Sequence, residues 1–146
     1  MDNKEKLPTF SKLIAILAVP ASLFRIFIGV TLVQALLEGA NSGMPVAYSW
    51  GEAVTGLLAG LFGNFGCANL LKRKPSSIKL CWLSIGFNAA NIIIVLIGFR
   101  LMPMDLPWFD TVGMGLIRIA FTLAFAFAVI QAARWFRSQS AQTQAG

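Results

Sequence analysis

The sequence predicts an all-α integral membrane protein, folded as a four-helix bundle with both termini on the same side of the membrane. Three observations favour this class. Hydrophobic residues make up 57% of the chain and charged residues only 12%, whereas soluble domains carry about 25% charged residues. The charged residues fall between long apolar stretches, which a soluble core would not require. Four of these stretches are long enough to cross a bilayer.

The four predicted spans each hold roughly 20 residues or more, the length that a hydrocarbon core of about 30 Å demands of a helix. They cover residues 13–37, 50–71, 78–98 and 110–133. Helices are expected because a backbone in lipid must satisfy its hydrogen bonds within its own segment. Since the connections are short, we expect a single membrane domain over residues 1–146.

The first span has a cleaved signal peptide as its alternative. Its basic start and the VPA sequence at 19–21 would suit a cleavage site. However, the apolar sequence continues over residues 23–37, and that remainder would be too short to span after cleavage. We therefore expect a retained helix.

The second span carries small residues at helical spacing. Gly56, Gly60, Gly63 and Gly66 recur three or four residues apart in GLLAGLFGNFG. This spacing places them on one helical face and lets another helix approach closely. We expect that face to pack within the protein's own bundle, with dimerisation or contact with another subunit as the alternative.

The third span follows the basic turn KRKPSS, in which Pro75 ends the preceding helix. Cys67 and Cys81 lie at similar depths on either side of this turn, close enough to face each other. We expect two small apolar side chains, since disulfides are not expected on the cytoplasmic side. A redox pair is the alternative, without C-x-x-C spacing to support it.

Polar residues recur at the middle depths of the spans, including the fourth. Arg25 lies about 18 Å from the outer end of the first span, and Arg118 about 12 Å from that of the fourth. Residues three or four apart on a helix share a face, as the two asparagines of the third span do. We predict a polar or binding layer inside the bundle, formed by Arg25, Asn64, Asn88, Asn91, Arg118 and Thr122.

Inserting an arginine near the centre of a span costs about 2.5 to 3.5 kcal/mol of free energy, and the sequence has two such arginines. The acidic residues Glu52 and Asp110 are expected at the outer edge, from which either could pair with an upward-reaching Arg118. One role for the guanidiniums is to bond asparagines and carbonyls near Pro20, which would hold the bundle or a partner helix together. Another is to line a path or pocket for an anionic solute or headgroup. Snorkelling to lipid phosphate is the third.

The basic residues predict the orientation. Nine of the 12 lie in the N-terminal tail, the basic turn and the C-terminal end, all on one side of a four-span protein. The positive-inside rule then places both termini in the cytoplasm. A net charge of +6 favours anionic headgroups of the lipid bilayer. Without a folded basic face, we expect no nucleic-acid binding.

Missing residue types restrict the chemistry. The sequence has no histidine, which removes the usual general base and most haem and transition-metal ligands. No two carboxylates share a predicted span, so acid-base schemes lack their parts. We therefore predict no enzyme activity, no catalytic residue, no cofactor and no metal site.

Three stretches carry a resemblance: the leading helix LIAILAVPASLFRIF, the basic turn LKRKPSSIKLCWL and the final ARWFRSQS. Their order resembles that of small four-helix bacterial inner-membrane proteins of unknown function. The resemblance implies the same architecture and location, and it supplies no catalytic or binding residue.

Two functions follow from these features. The first is an accessory or assembly subunit that acts through helix packing, in a homo-oligomer or with another membrane protein. The alternative is a small oligomeric carrier or channel for an anionic or amphipathic solute. Under the first, replacing Arg25 or Arg118 by Gln weakens assembly; under the second, it weakens solute binding or flux.

Overall fold

Four α-helices follow one another in the computed structural model, which describes residues 6–39, 45–101 and 108–144. The helices are α1 Thr9–Leu37, α2 Val46–Leu71, α3 Ser77–Arg100 and α4 Trp108–Gln144. Each contains a segment long and apolar enough to cross a membrane, and the segment in α4 is Gly115–Ala141. The prediction of an all-α protein with four helices of membrane length is confirmed for the described part of the chain.

The helices are longer than the predicted apolar spans, because helical structure continues into the polar residues that flank each span. The start of α2 matters most for the site. Since α2 begins at Val46, Glu52 lies about 9 Å inside the helix at the helical rise. Its side chain is partly buried. The prediction that Glu52 lies at the outer edge of a span concerns the membrane boundary and stays a prediction, whereas within the bundle Glu52 lies inside α2 and not at its end.

A tight turn between α2 and α3 makes the two helices antiparallel. Arg73 adopts a left-handed conformation with φ of 56°, and the backbone N of Lys74 donates to the carbonyl of Asn69 at 2.9 Å. A left-handed residue closed by such a bond is a common way to end a helix. Pro75 follows in this turn, where a residue without a backbone N–H cannot continue α2.

The helices are arranged in chain order around the bundle. α2 packs along both α1 and α3, α3 packs along α4, and the seam between α1 and α4 is the loosest of the four contacts among the described residues. α1 and α3 are thus diagonally opposite each other, as are α2 and α4. Side chains that cross this interior link all four helices.

One end of the bundle is closed by a small core, which we call the closed end. It lies beside the α2–α3 turn and contains Leu7, Ala15, Cys67, Leu70 and Ala132, with Phe125 and Trp135 packed against them. Here Ser11 of α1 donates a hydrogen bond to the carbonyl of Ala128 of α4 at 2.8 Å. The looseness of the α1–α4 seam therefore lies farther along the bundle.

The glycines of α2 permit close approach of both neighbouring helices. A Cβ on Gly60 would lie 3.0 Å from the carbonyl oxygen of Ser22 in α1, and one on Gly66 would lie 3.0 Å from the backbone N of Cys81 in α3. Real Cβ atoms are rarely so close to backbone atoms. Gly56 and Gly63 are buried on the same helix. This face of α2 is occupied by helices of the same chain.

Candidate functional site

Arg25 is held in the interior of the bundle by two asparagines of the diagonally opposite helix. Its Nη1 donates to Oδ1 of Asn88, and its Nη2 donates to Oδ1 of Asn91 at 2.7 Å. The two amides lie three residues apart on α3, so they share one face. Each therefore accepts a hydrogen bond from one of the two terminal nitrogens of the guanidinium. Neutral amides satisfy two of its donors without neutralising its charge.

The amide groups extend the network to the other two helices. Nδ2 of Asn91 donates to the backbone carbonyl of Glu52 at 2.9 Å and to Oγ1 of Thr55 at 3.1 Å. Nδ2 of Asn88 donates to Oγ1 of Thr122. A single connected set of hydrogen bonds therefore joins α1, α2, α3 and α4.

Room for this network comes from the glycine face of α2. A Cβ on Gly56 would lie 3.5 Å from Nδ2 of Asn91 and 4.0 Å from Nε of Arg25. These are ordinary contact distances, so an alanine fits and any larger side chain would displace the amide or the guanidinium. The small residue thus serves the polar site as well as helix packing.

Two further charges act on Arg25. Arg118 of α4 and Glu52 of α2 both interact with it electrostatically, and Glu52 also interacts with Arg118. Arg118 in addition accepts a hydrogen bond from Thr122 through its backbone carbonyl, at 2.7 Å. With two guanidiniums and one carboxylate, this group carries a net positive charge.

The predicted pairing of Arg118 with Asp110 is not addressed by these contacts, because the side chain of Asp110 lies outside the described residues. The pairing of Arg118 with Glu52 takes the form of an electrostatic interaction within the bundle.

Arg25 retains hydrogen-bonding capacity. A guanidinium has five N–H donors, and two of those of Arg25 are used by the asparagines. The others have no acceptor among the described residues. A partly buried charge with unused donors is costly unless another group or water approaches it.

A cavity of about 210 Å³ lies beside Arg25 and is lined by residues of all four helices. Arg25, Asn88 and Thr122 form its polar end, while Ile14, Leu17 and Phe125 line the part nearest the closed end. Leu17, Ala21 and Phe121, all exposed on α1 or α4, form its rim. The cavity is therefore reached from the side of the bundle, at the α1–α4 seam.

The structure brings four of the six predicted polar residues into direct contact: Arg25, Asn88, Asn91 and Thr122. Arg118 joins them through its backbone and its charge. Asn64 is partly buried on α2 but takes no part in the network. It lies nine residues farther along α2 than Thr55, about 13.5 Å at the helical rise, and is therefore nearer the closed end.

Four residues of this site were not predicted: Ser22, Glu52, Thr55 and Ser84. For three of them the sequence contained a signal, either helical spacing or depth. Ser22 precedes Arg25 by three residues, Ser84 precedes Asn88 by four, and Thr55 lies at nearly the same depth as Asn91. These residues could have been predicted by adding to the site the polar residues that share a helical face or a depth with a predicted site residue.

Other reactive groups lie apart from this site. Cys67 and Cys81 are free and buried, and their side chains contact each other across the α2–α3 interface. The described part of the chain contains no group of three or more His, Cys, Asp or Glu side chains that could bind a metal ion.

Comparison of the chain with protein-family models, with curated proteins and with solved structures gives no match. The resemblance to small bacterial inner-membrane proteins therefore stays a prediction, and function is argued from the site itself.

Proposed function

We propose that this protein is a multi-pass membrane protein that binds an anionic, amphipathic molecule inside the bilayer and acts as a small carrier for it. One observation carries the proposal. The guanidinium of Arg25, with unused N–H donors, lies at the polar end of a cavity whose other walls are mostly apolar. Such a site complements an anion attached to an apolar body.

The charge of Arg25 is the reason to prefer ligand binding to a structural role alone. Joining helices by hydrogen bonds requires only neutral groups: Asn88, Asn91 and the threonines link α2, α3 and α4 in this way. Arg25 brings α1 into the network through two bonds to amide oxygens, which a neutral donor could also make. A central arginine adds a cost of about 2.5 to 3.5 kcal/mol. Ionisable residues inside membrane spans are usually functional, and the positive excess around Arg25 favours an anion.

The accessory-subunit hypothesis is less well supported by the geometry. It depends on a small-residue face that can receive a partner's helix, but α1 and α3 of the same chain occupy that face. It stays a prediction, and the experiment below distinguishes it from the carrier.

We propose that both termini lie in the cytoplasm, the orientation that the basic residues favour. The membrane that we propose is the inner membrane, as in the proteins that the sequence resembles. Large apolar side chains face outward around the bundle, among them Phe24, Phe65 and Phe121 at 64%, 61% and 72% exposure. Contact with lipid would remove this surface from water. In this orientation the closed end of the bundle faces the cytoplasm.

Native mass spectrometry after gentle extraction tests the proposal. Three proteins are compared: the wild type, Arg25→Gln, and Arg137→Gln as a control that removes the same charge from an exposed position. We expect the wild type and the control to carry an anionic amphiphile. Arg25→Gln should carry about 10-fold to 100-fold less, since a hydrogen bond to a charged group contributes about 1.5 to 3 kcal/mol.

Two outcomes would contradict the carrier. One is equal ligand content in Arg25→Gln and the wild type. The other is a wild-type protein that carries no amphiphile and copurifies with a stoichiometric protein partner, which would support the accessory subunit. The same spectra give the copy number and so test the expected homo-oligomer.

A further inference from the structure

We infer that the ligand is a single-chain amphiphile with a terminal oxyanion, and that it lies with its head at Arg25 and its chain directed toward the closed end of the bundle. This inference rests on the proposed function and specifies the ligand class and its direction of binding. It follows from the size of the cavity, its gradient of polarity and the hydrogen bonds along its walls.

The size of the cavity favours one chain. Its volume is about 210 Å³, below the roughly 300 to 1,000 Å³ of pockets for drug-sized ligands. Ile14 and Arg25, which line it near its two ends, are separated by about 16 Å along α1 at the helical rise. A long and narrow space of this volume fits an extended hydrocarbon chain and excludes a pair of chains side by side.

The gradient of polarity sets the direction. Charge and amides are confined to the end formed by Arg25, Asn88 and Thr122, whereas Ile14 and Phe125 line the other end. Beyond that apolar end lies the closed end, whose residues include Cys67 and Leu70 at 0% and 1% exposure. An anionic head placed there would lose its hydration without gaining a donor, so the reverse direction is unfavourable.

The walls between the two ends offer no donor to a head group. The hydroxyl of Ser22 donates to the carbonyl of Ala18, and that of Ser84 donates to the carbonyl of Ala59 at 2.8 Å. Gly63 lies between these two serines, where a Cβ would be 2.9 Å from Oγ of Ser84 and 3.2 Å from Oγ of Ser22. With their protons engaged, the hydroxyls can only accept hydrogen bonds, which an ionised carboxylate or a fully ionised phosphate cannot donate.

The donors that remain are at the polar end. Arg25 has N–H groups without an acceptor among the described residues, and Asn88 uses one of its two amide protons on Thr122. A guanidinium and an amide side by side fit an oxyanion with two or more oxygens. A neutral head such as an alcohol would leave the charge of Arg25 uncompensated.

This direction distinguishes the ligand from a lipid of the cytoplasmic leaflet. With the closed end toward the cytoplasm, a lipid of the cytoplasmic leaflet would insert its chains from the opposite direction and keep its head at the surface. Its phosphate would therefore not reach Arg25. Above Arg25, the polar network continues through Asn91 to Thr55 and to the backbone carbonyl of Glu52, so the side away from the closed end is polar.

Photo-crosslinking with two alkyl carboxylates tests the direction. One probe carries a diazirine at the end of the chain and the other carries it beside the carboxylate. The wild-type protein is reconstituted in phosphatidylcholine vesicles, labelled, and mapped by peptide mass spectrometry. We expect the chain-end probe to label the segments around Ile14 and Phe125, and the head-end probe to label those around Arg25 and Phe121. Unlabelled alkyl carboxylate should compete, and its methyl ester should compete at least about 10-fold less.

A pair of bulky substitutions tests the cavity itself. Ala21 lines the rim of the cavity on α1, whereas Ala89 is equally exposed on α3 and lies outside it. We expect Ala21→Trp to reduce labelling by both probes several-fold, and Ala89→Trp to leave it unchanged. Because both positions are exposed, neither substitution should prevent folding. Equal labelling of both variants would show that the chain does not occupy this cavity.

The possible failures are distinguishable. A reversed labelling pattern would overturn the inferred direction and identify the occupant as a lipid-like chain inserted from the closed end, with the proposed function intact. Absence of saturable labelling, together with an anionic amphiphile found by native mass spectrometry, would overturn the single-chain ligand alone. Absence of both would contradict the inference and the proposed function together.

Discussion

Arg25 determines the properties of the site because it is charged, partly buried and only partly bonded. Asn88 and Asn91 orient the guanidinium through two hydrogen bonds, and Glu52 compensates its charge in part. Since Arg118 adds a second positive charge nearby, the interior keeps a positive excess. Neutral groups hold the guanidinium in place, and its positive charge is not fully compensated. Together these two conditions pre-organise a site for an anion.

Replacing Asn91 by Leu should destabilise the protein. Asn91 is 2% exposed, and its loss would leave Nη2 of Arg25 without an acceptor and Thr55 without a donor. We expect a loss of about 1 to 2 kcal/mol in the free energy of unfolding, from hydrogen bonds within a membrane protein and an unpaired buried donor. Unfolding by SDS in mixed micelles measures it.

Asn64→Leu is the matched control, since Asn64 is partly buried on α2 outside the network. Its effect should stay within about 0.5 kcal/mol. Equal destabilisation by the two substitutions would mean that the network contributes nothing specific to stability.

At this scale the sequence predicted which residues are polar and how deep they lie, but not their partners. Depth follows from the hydropathy and the helical rise, and it placed Arg25, Asn88 and Asn91 together correctly. The face of a helix that meets its neighbour depends on tertiary packing. Thr55 supplies the α2 side chain of the network, whereas Asn64 lies about 13.5 Å farther along the helix.

Among the elements, α2 organises the bundle because its contacts with α1 and α3 are the two most extensive in the described part of the chain. Its buried face is made of small residues, among them Ala59, Gly60, Gly63 and Gly66. Without large side chains to interdigitate, the backbones approach closely and serines bond across the gap, as Ser84 does with Ala59. This is packing typical of helices that associate by close contact rather than by burial of large apolar groups.

Gly66→Ala should weaken the contact between α2 and α3. The new Cβ would lie 2.8 Å from Sγ of Cys81 and 3.0 Å from its backbone N, so the helices must move apart. Overpacking costs about 1 to 3 kcal/mol, which outweighs a gain in helix propensity of at most about 1 kcal/mol. The midpoint of SDS unfolding should fall.

Gly86→Ala provides the comparison within α3, because a Cβ at Gly86 meets nothing within 4 Å. It should be neutral or stabilise the protein by up to about 1 kcal/mol. A destabilisation by Gly66→Ala no larger than that of Gly86→Ala would contradict the close packing of α2 and α3.

The existence of the helices could be predicted from the sequence, because each apolar stretch exceeds the length of a span. The ends could not be placed so well, since helical structure continues through polar residues such as Tyr48, Ser49 and Gln139. Because α2 begins at Val46, four residues before the predicted span, Glu52 lies within the helix and is partly buried, where its charge affects both arginines.

On the scale of the whole molecule, the bundle is closed at one end and loose along the α1–α4 seam. The core around Cys67 and Leu70 and the bond from Ser11 to Ala128 fix the closed end. Farther along, the cavity separates the helices, and the polar network joins them beyond it. The cavity therefore lies between a packed core on one side and polar bonds on the other, with its exposed rim at the α1–α4 seam.

Reporter fusions test the arrangement of the chain across the membrane. Four spans require both termini on the same side, and the basic residues predict the cytoplasm. A cytoplasmic reporter should therefore be active at either terminus and at the α2–α3 turn near Pro75, and inactive when inserted in residues 40–44. Activity at one terminus alone would mean an odd number of spans.

The most direct test of an anion-binding site at Arg25 uses protein in phosphatidylcholine nanodiscs. It measures the equilibrium binding of a single-chain alkyl phosphate and of the matching alkyl alcohol. Wild type, Arg25→Lys and Arg25→Gln are compared. We predict that the wild type prefers the phosphate by at least about 10-fold, that Arg25→Lys retains part of this preference, and that Arg25→Gln loses it while binding the alcohol as the wild type does. Equal affinity of Arg25→Gln and wild type for the alkyl phosphate would contradict an anion site at Arg25.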